Sequence, residues 1–505
     1  MIPLAYYFIL TLIFLFTLKL FLQTRRSKNI PPGPPYLPII GNLHQLKDPL
    51  HRTLHRFSQR YGQIYSLRFG SRLAVVVSSL SAVQECFTKN DVVLANRPKL
   101  LIGKYLGYNH TSLLFSPYGD HWRNLRRITT AEVLSTNRLN DFVEMRKDEI
   151  MRLVQKLGLA SYKGFVKVEM KTRLAELTFN TIMRMIAGKR YLGEDCELEI
   201  NVEEANKFRK MIAEMVAIGG ANHPADFLPF LKWFDFAGFE NKVKDFYKRT
   251  DAFLQGLIDE LREGKNAGDT MIGYLLSLRE SQPQYFTDQL IKSLVLVMLI
   301  AGTDTASLTL EWAMSNLLNQ PEVLKKAKKE IDTYIGLEER LINEADISKL
   351  PHLQNIITET MRLYPAAPLL VPHFSSDDCS IGGHDVPRGT MVLINAWTIH
   401  RDPQLWNDHL SFKPERFEKE GEAKKLITFG LGRRACPGAG LAQRTIGLTL
   451  ALLIQCFEWK RVNDEEIDMT EGVGITLPKK IPLEAMCEAC HPIINKVLCE
   501  GAIDN

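Results

Sequence analysis

Phe429-Gly430-Leu431-Gly432-Arg433-Arg434-Ala435-Cys436-Pro437-Gly438 is the stretch on which the reading of this chain turns. Cys436 stands directly before Pro437, a residue suited to the first position of a helix, and Leu441, Leu448, Leu452 and Leu453 continue an apolar helical face. A thiol at a helix N-terminus, with Arg433 and Arg434 beside it, is expected to have a lowered pKa and to exist as thiolate. Gly432 and Gly438 let the backbone approach a flat object closely. A buried structural cysteine would need neither the arginines nor the glycines. A thiolate ligand to haem iron uses all of them.

Upstream, Thr287 to Leu318 reads as one long helix, with Thr287 as N-cap and Pro321 as stop. About 30 helical residues span roughly 45 Å. Its centre is Ala301-Gly302-Thr303-Asp304-Thr305-Ala306. The small residues alone would suit a helix-packing notch. Asp304 asks for more, because a buried carboxylate without a task is costly. A kink lined by glycine and hydroxyls would open backbone carbonyls to a cavity.

The 505 residues are 45% hydrophobic and 24% charged, which excludes disorder, collagen-like repeats and a multi-span membrane protein. A net charge of +5 is too mild to imply a nucleic-acid partner. Eight cysteines are too few for a disulfide scaffold and point to a reducing compartment. From Gly41 onward no linker or repeat divides the chain. Arg138 to Leu157 and Asn241 to Glu263 are amphipathic and helical, whereas Ile64–Phe69 and Leu73–Val77, separated by Gly70, form a small hairpin sheet. Lys325 to Glu330 is a solvated helix face.

Residues 1–24 read as a transmembrane anchor: Ile2 to Leu22 reaches roughly 30 Å as a helix. Arg25, Arg26 and Lys28 follow the apolar run instead of preceding it, against a cleaved signal peptide, and keep that flank in the cytosol. Residues 25–40 are this basic flank plus a stiff proline-rich hinge, Pro31 to Pro38. Residues 41–505 read as one domain, with haem-thiolate chemistry at Cys436 as its expected task.

The cysteine loop matches F-x-x-G-x-R-x-C-x-G, and on it the chain resembles the cytochrome P-450 monooxygenases. Glu359-Thr360-Met361-Arg362 is similar to the family's E-x-x-R pair, one turn apart on a helix. Pro414-Glu415-Arg416-Phe417 resembles its downstream partner, and Trp122-Arg123-Asn124-Leu125-Arg126 the W-x-x-x-R motif. The anchor and hinge are similar to the microsomal plant type. This resemblance implies a mainly α fold with small β-sheets, and haem b on Cys436, contacted by Phe429, Arg434 and Gly438. It puts Trp122, Arg126 and His373 on the haem propionates, and makes Glu359, Arg362 and Arg416 a structural charge network. Asp304 and Thr305 would relay protons to bound dioxygen. Ala306 departs from the family's usual Thr or Ser, with Ser307 following.

By the same resemblance, electrons come from NADPH through a flavoprotein reductase docking near Arg123, Arg127, Lys424, Lys425 and Arg433, with cytochrome b5 as a further candidate partner. The expected location is the endoplasmic reticulum membrane, with the catalytic domain cytosolic. The substrate pocket would draw on Leu101 to Phe115, Val216 to Asn222, Met298 to Ala301, Ala367 to Val371 and Ile475 to Leu477. Asn90 to Pro98, Tyr118 to Arg127 and Phe412 to Gly421 resemble plant isoflavone and flavonoid hydroxylases. The implied reaction is hydroxylation of an isoflavonoid or other phenolic. A lignan, alkaloid or terpenoid substrate is the alternative, and a non-oxygenase haem isomerase a more distant one. Cys487-Glu488-Ala489-Cys490-His491 fits the haem c attachment pattern C-x-x-C-H and would make an electron carrier. Covalent haem c needs maturation outside the cytosol, so a chance match is the expectation. Asn109-His110-Thr111 is a sequon expected to go unused on the cytosolic side.

Overall fold

A computed structural model describes residues 29–193, 224–233, 238–264, 270–336 and 340–490, together with single positions 7, 10, 11, 14, 211, 214 and 218. Apart from those single positions, the expected anchor, the basic residues that follow it, most of 216–222 and His491 lie outside the described residues.

Helix α1 (Leu50–Tyr61) stops at Gly62, and the chain enters the hairpin of β1 (Ile64–Phe69) and β2 (Arg72–Val77), in register from Ile64↔Val77 to Phe69↔Arg72. Then come α2 (Leu80–Thr88), α3 (Asp120–Arg127), α4 (Val143–Ser161), β3 (Val166–Glu169), α5 (Met170–Ala187), α6 (Phe239–Arg262) and α7 (Met271–Ser281). The long helix is α8 (Asp288–Asn319), followed by α9 (Pro321–Ile335) and α10 (Pro351–Leu363). Strands β4 (His373–Phe374), β5 (Cys379–Ile381), β6 (His384–Val386) and β7 (Met391–Ile394) precede α11 (Ala439–Cys456), β8 (Phe457–Lys460) and β9 (Glu484–Ala489). The sheets run β1-β2-β7-β4, β3-β9-β8 and β5-β6. Helices dominate, as the amphipathic stretches predict.

Thr287 caps α8 by accepting from Leu290 N at 3.3 Å, satisfying one of the free N–H groups of the first turn. Its 32 residues cross the middle of the protein between two apolar clusters, one with α4, α10 and α11 and the other with α3, α6 and α7, while α5 contributes to both. At Gly302 the notch is real: a Cβ would stand 2.7 Å from Ile182 Cδ1 of α5. The helix runs unbroken through this point, and the Thr303 and Thr305 hydroxyls donate to Leu299 O and Ala301 O, so those carbonyls are met by side chains of the helix itself. Two helices among the described residues, α8 and α11, are long and apolar enough to cross a membrane, and both lie mostly buried in the core.

Candidate active site

The cysteine loop closes on itself through Cys436 N–H, which donates to Phe429 O at 2.7 Å. Gly432 has a left-handed φ of 68°, and a Cβ there would meet Asp91 Oδ1 at 2.4 Å, so glycine is required twice over. Its neighbours point in opposite directions. Arg433 turns outward to Asp91, with Nε 3.4 Å from Oδ2. Arg434 turns inward and stacks 4.3 Å above the Trp122 ring. Helix α11 starts at Ala439, not Pro437, so Cys436 sits just ahead of the helix. Burial pushes the Cys436 thiol above its ordinary value, while the Gly438 N–H, the Arg126 charge and the Ala439 N–H pull it down. The expected lowered pKa is thus not met by the loop alone, and Arg126 takes the role assigned to Arg433 and Arg434. A cationic metal at sulfur would supply the rest.

Cys436 faces a cavity of about 290 Å³ between the loop and α8. Three guanidinium groups line it: Arg97, Arg126 and Arg434. Arg97 Nη1 donates to Val371 O and Pro372 O, both at 2.8 Å, and its buried Nε has no partner. Arg126 donates to Ala435 O at 2.6 Å, and Arg434 to Ala95 O, Leu113 O and Ser116 O. Among the described residues none of the three is paired with a carboxylate. Burial lowers Arg97 to about 9, and burial with the charges of Arg97 and Arg126 lowers Arg434 to about 8. Buried cations without counter-ions call for an anionic ligand. A flat macrocycle with two carboxylates, ligated by Cys436, fits this wall.

Across the cavity, α8 presents Val297, Met298, Ala301, Gly302, Thr305 and Ala306. Asp304 does not reach it. Its Oδ2 accepts from Thr476 Oγ1 at 2.7 Å on the other side of the helix, and burial raises its pKa against the opposing effects of that bond and of Lys171.

The cytochrome P450 family model matches residues 31–484 of this sequence. The chain belongs to the cytochrome P-450 family. It is 64% identical over 492 residues to cytochrome P-450 81E8 of Medicago truncatula, covering 97% of this chain and 98% of the relative. It is 60% identical to isoflavone 3'-hydroxylase of the same plant (98% and 99% covered) and 57% identical to isoflavone 2'-hydroxylase of Glycyrrhiza echinata (97% of each).

In this P-450 the E-x-x-R residues meet at the end of α10. Glu359 and Arg362, both fully buried, bond at 2.7 and 2.8 Å, and Arg416 reaches Glu359 at 2.9 Å. Arg362 also donates to His400 O, His409 O and Ser411 O, tying α10 to the segment before the cysteine loop. Trp122 lines the cavity, but its indole N–H donates to Leu113 O at 3.1 Å, so it offers the cavity its ring and not the expected donor. His373 gives its Nδ1 hydrogen to Leu94 O at 2.8 Å. Burial and Arg97 hold it neutral, leaving Nε2 without a hydrogen to donate to a carboxylate. Arg97, absent from the expected site, lines the same cavity with its guanidinium.

The pocket segments also need correction. Leu113, Leu114, Met298, Ala301, Ala367, Leu370 and Val371 line the cavity as expected, and Phe429, Arg434 and Gly438 share its wall. Leu369 instead packs on the sheet cluster, Phe115 against Gly103 and Gly107, and Ile475 is 58% exposed. Leu477 bonds Ala366 O and accepts from Trp312, and so braces the wall from behind. Cys487 is buried in β9 with its Sγ 4.0 Å from Ser161 Oγ, whereas Lys328 donates to Cys490 at 3.1 Å. Neither cysteine touches the cavity.

Proposed function

We propose that this P-450 hydroxylates an isoflavone or a similarly flat phenolic with dioxygen and NADPH-derived electrons. One observation carries the reading. On the side opposite Cys436 the cavity wall is apolar, with the small residues Ala301 and Gly302 beside Val297 and Met298, which suits an aromatic ring system. Relatives that hydroxylate isoflavones support the same substrate class.

Bound in this cavity, haem supplies dioxygen activation and the oxidising equivalent. The chain's own residues do the rest. Cys436 holds the metal through sulfur, and Gly438, Phe429 and the Trp122 ring bound the space around it. Arg97, Arg126 and Arg434 would orient the carboxylates, with the neutral His373 ring beside them at the cavity wall. Thr305 holds a hydroxyl hydrogen at the cavity wall, and Asp304 carries protons from the solvent side. Ala306 adds no second hydroxyl, so Thr305 stands alone at that point. Glu359, Arg362 and Arg416 fix the chain that delivers the loop.

Arg123, Arg127, Lys424, Lys425 and Arg433 form the face for an acidic flavoprotein reductase, with cytochrome b5 as a second donor. An anchor over residues 1–24 would hold the domain on the cytosolic side of the endoplasmic reticulum. Membranes carrying this chain and a reductase should hydroxylate an isoflavone such as formononetin only when NADPH is present. Turnover of a lignan, alkaloid or terpenoid, with none of isoflavones or flavones, would overturn the substrate class.

A further inference from the structure

We propose that Thr476 is a positioning residue for proton delivery, parking the Asp304 carboxylate on the face of α8 turned away from the cavity so that each proton is taken up there. The proposal rests on the proton-delivery reading of Asp304 and Thr305. Three observations carry it. Thr305 lines the cavity and Asp304 does not, although they are adjacent on one helix. The Asp304 side chain is committed to Thr476, which lies 172 residues away in the loop between β8 and β9. That loop is clamped to the same helix and to the cavity wall: Trp312 Nε1 donates to Leu477 O at 2.8 Å, and Leu477 N–H donates to Ala366 O at 3.0 Å. The backbone directly after Thr476 is therefore anchored both to α8 and to the cavity wall.

Lys171, near the start of α5, is the charged group facing Asp304. Glu311 lies two turns further along α8, within the fields of Lys479, Lys171 and Glu169, and it accepts from Leu483 N at 2.9 Å. This side of the helix is thus polar and separate from the substrate side, and the exposed Lys171 marks where it meets solvent. In one cycle a solvent proton forms an O–H bond on an Asp304 carboxylate oxygen. The side chain rotates, that O–H bond breaks, and the proton passes to Thr305 Oγ1. Thr305 releases its own hydrogen into the cavity, where oxygen reduction consumes it, and the Asp304 carboxylate returns to Thr476.

Thr476→Val keeps the shape and removes the hydroxyl; Thr476→Ser keeps the hydroxyl. The Asp304 carboxyl band in infrared titration of the ferric holoenzyme is assigned by its loss in Asp304→Asn. The lost hydrogen bond should shift its midpoint upward in Thr476→Val, and Thr476→Ser should restore it. Product formed per NADPH should fall roughly tenfold in Thr476→Val, as for a misplaced catalytic group, and recover in Thr476→Ser. Wild-type midpoint and coupling in Thr476→Val, while Asp304→Asn slows turnover, would overturn the positioning role and leave the relay standing. Failure of Thr476→Ser to restore both readouts would overturn it as well. Unchanged turnover in Asp304→Asn would overturn the relay and the proposal together.

Discussion

Arg97→Met should have opposite effects on the haem-free and haem-loaded protein. Within the protein Arg97 is a buried guanidinium with two carbonyl acceptors, an unpartnered Nε and, among the described residues, no carboxylate partner. Burial costs enough to bring its pKa to about 9. Replacing it with an apolar side chain of similar length removes that cost, so haem-free stability in urea should hold or rise. With haem bound, the same charge faces a propionate. A hydrogen bond to a charged group contributes about 1.5–3 kcal/mol, which corresponds to roughly 10- to 150-fold in haem affinity. Transfer of haem to excess apomyoglobin reads this directly as a faster loss rate. Arg433→Met serves as control, since Arg433 points outward to Asp91 and should leave the rate unchanged. Wild-type haem retention in Arg97→Met would refute the assignment of Arg97 to the carboxylates. A haem-free protein destabilised by several kcal/mol would refute the claim that its charge lacks compensation.

Cys436→Ala should abolish the red-shifted carbon monoxide band of the reduced protein together with turnover, whereas acid–acetone should extract all haem from the wild type because Cys487 and Cys490 hold none. Thr305→Ala should leave haem binding intact and divert NADPH electrons to hydrogen peroxide; an unchanged product-to-NADPH ratio would move attention to Ser307. Arg362→Ala leaves buried Glu359 with Arg416 as its one guanidinium partner and frees three carbonyls, and should cost about 3–5 kcal/mol in chemical denaturation, whereas losing the exposed Lys413–Asp408 pair should leave the midpoint nearly unchanged. Glu471 is buried, which raises its pKa, yet its bonds from His51 and Arg52 outweigh burial and bring it from 4.5 to about 2. A depressed carboxyl contributes stability that is complete above its unfolded pKa and is lost as pH falls towards the folded value. The stability gap between wild type and Glu471→Gln should therefore be full at about pH 6 and narrow below about pH 4.5.

Chemistry that depends on neighbours along the chain is legible in the sequence alone. The cysteine loop, the long helix with its Thr287 cap, the E-x-x-R pair and the β1–β2 hairpin each arise from spacing within a turn, a ladder or a tight loop, where backbone geometry is local. What each side chain faces is not legible in the same way. Arg433 and Arg434 are adjacent, yet one meets Asp91 and the other enters the cavity, because both lie in one 3-10 turn over Gly432–Arg434, where successive side chains step about 120° around the axis. Asp304 and Thr305 are adjacent, yet a hundred-degree step around α8 sends one to Thr476 and the other to the cavity. Arg97 is visible in the sequence only as a mark of kinship and becomes a site residue once the fold sets it beside Arg434. The indole of Trp122 and the ring of His373 stand at the expected wall, but Leu113 O and Leu94 O take their hydrogens. Sequence periodicity decides which face of an element is apolar. Only tertiary packing decides which polar partner, often hundreds of residues away, a buried donor finds, since that choice is set by the positions of several elements at once.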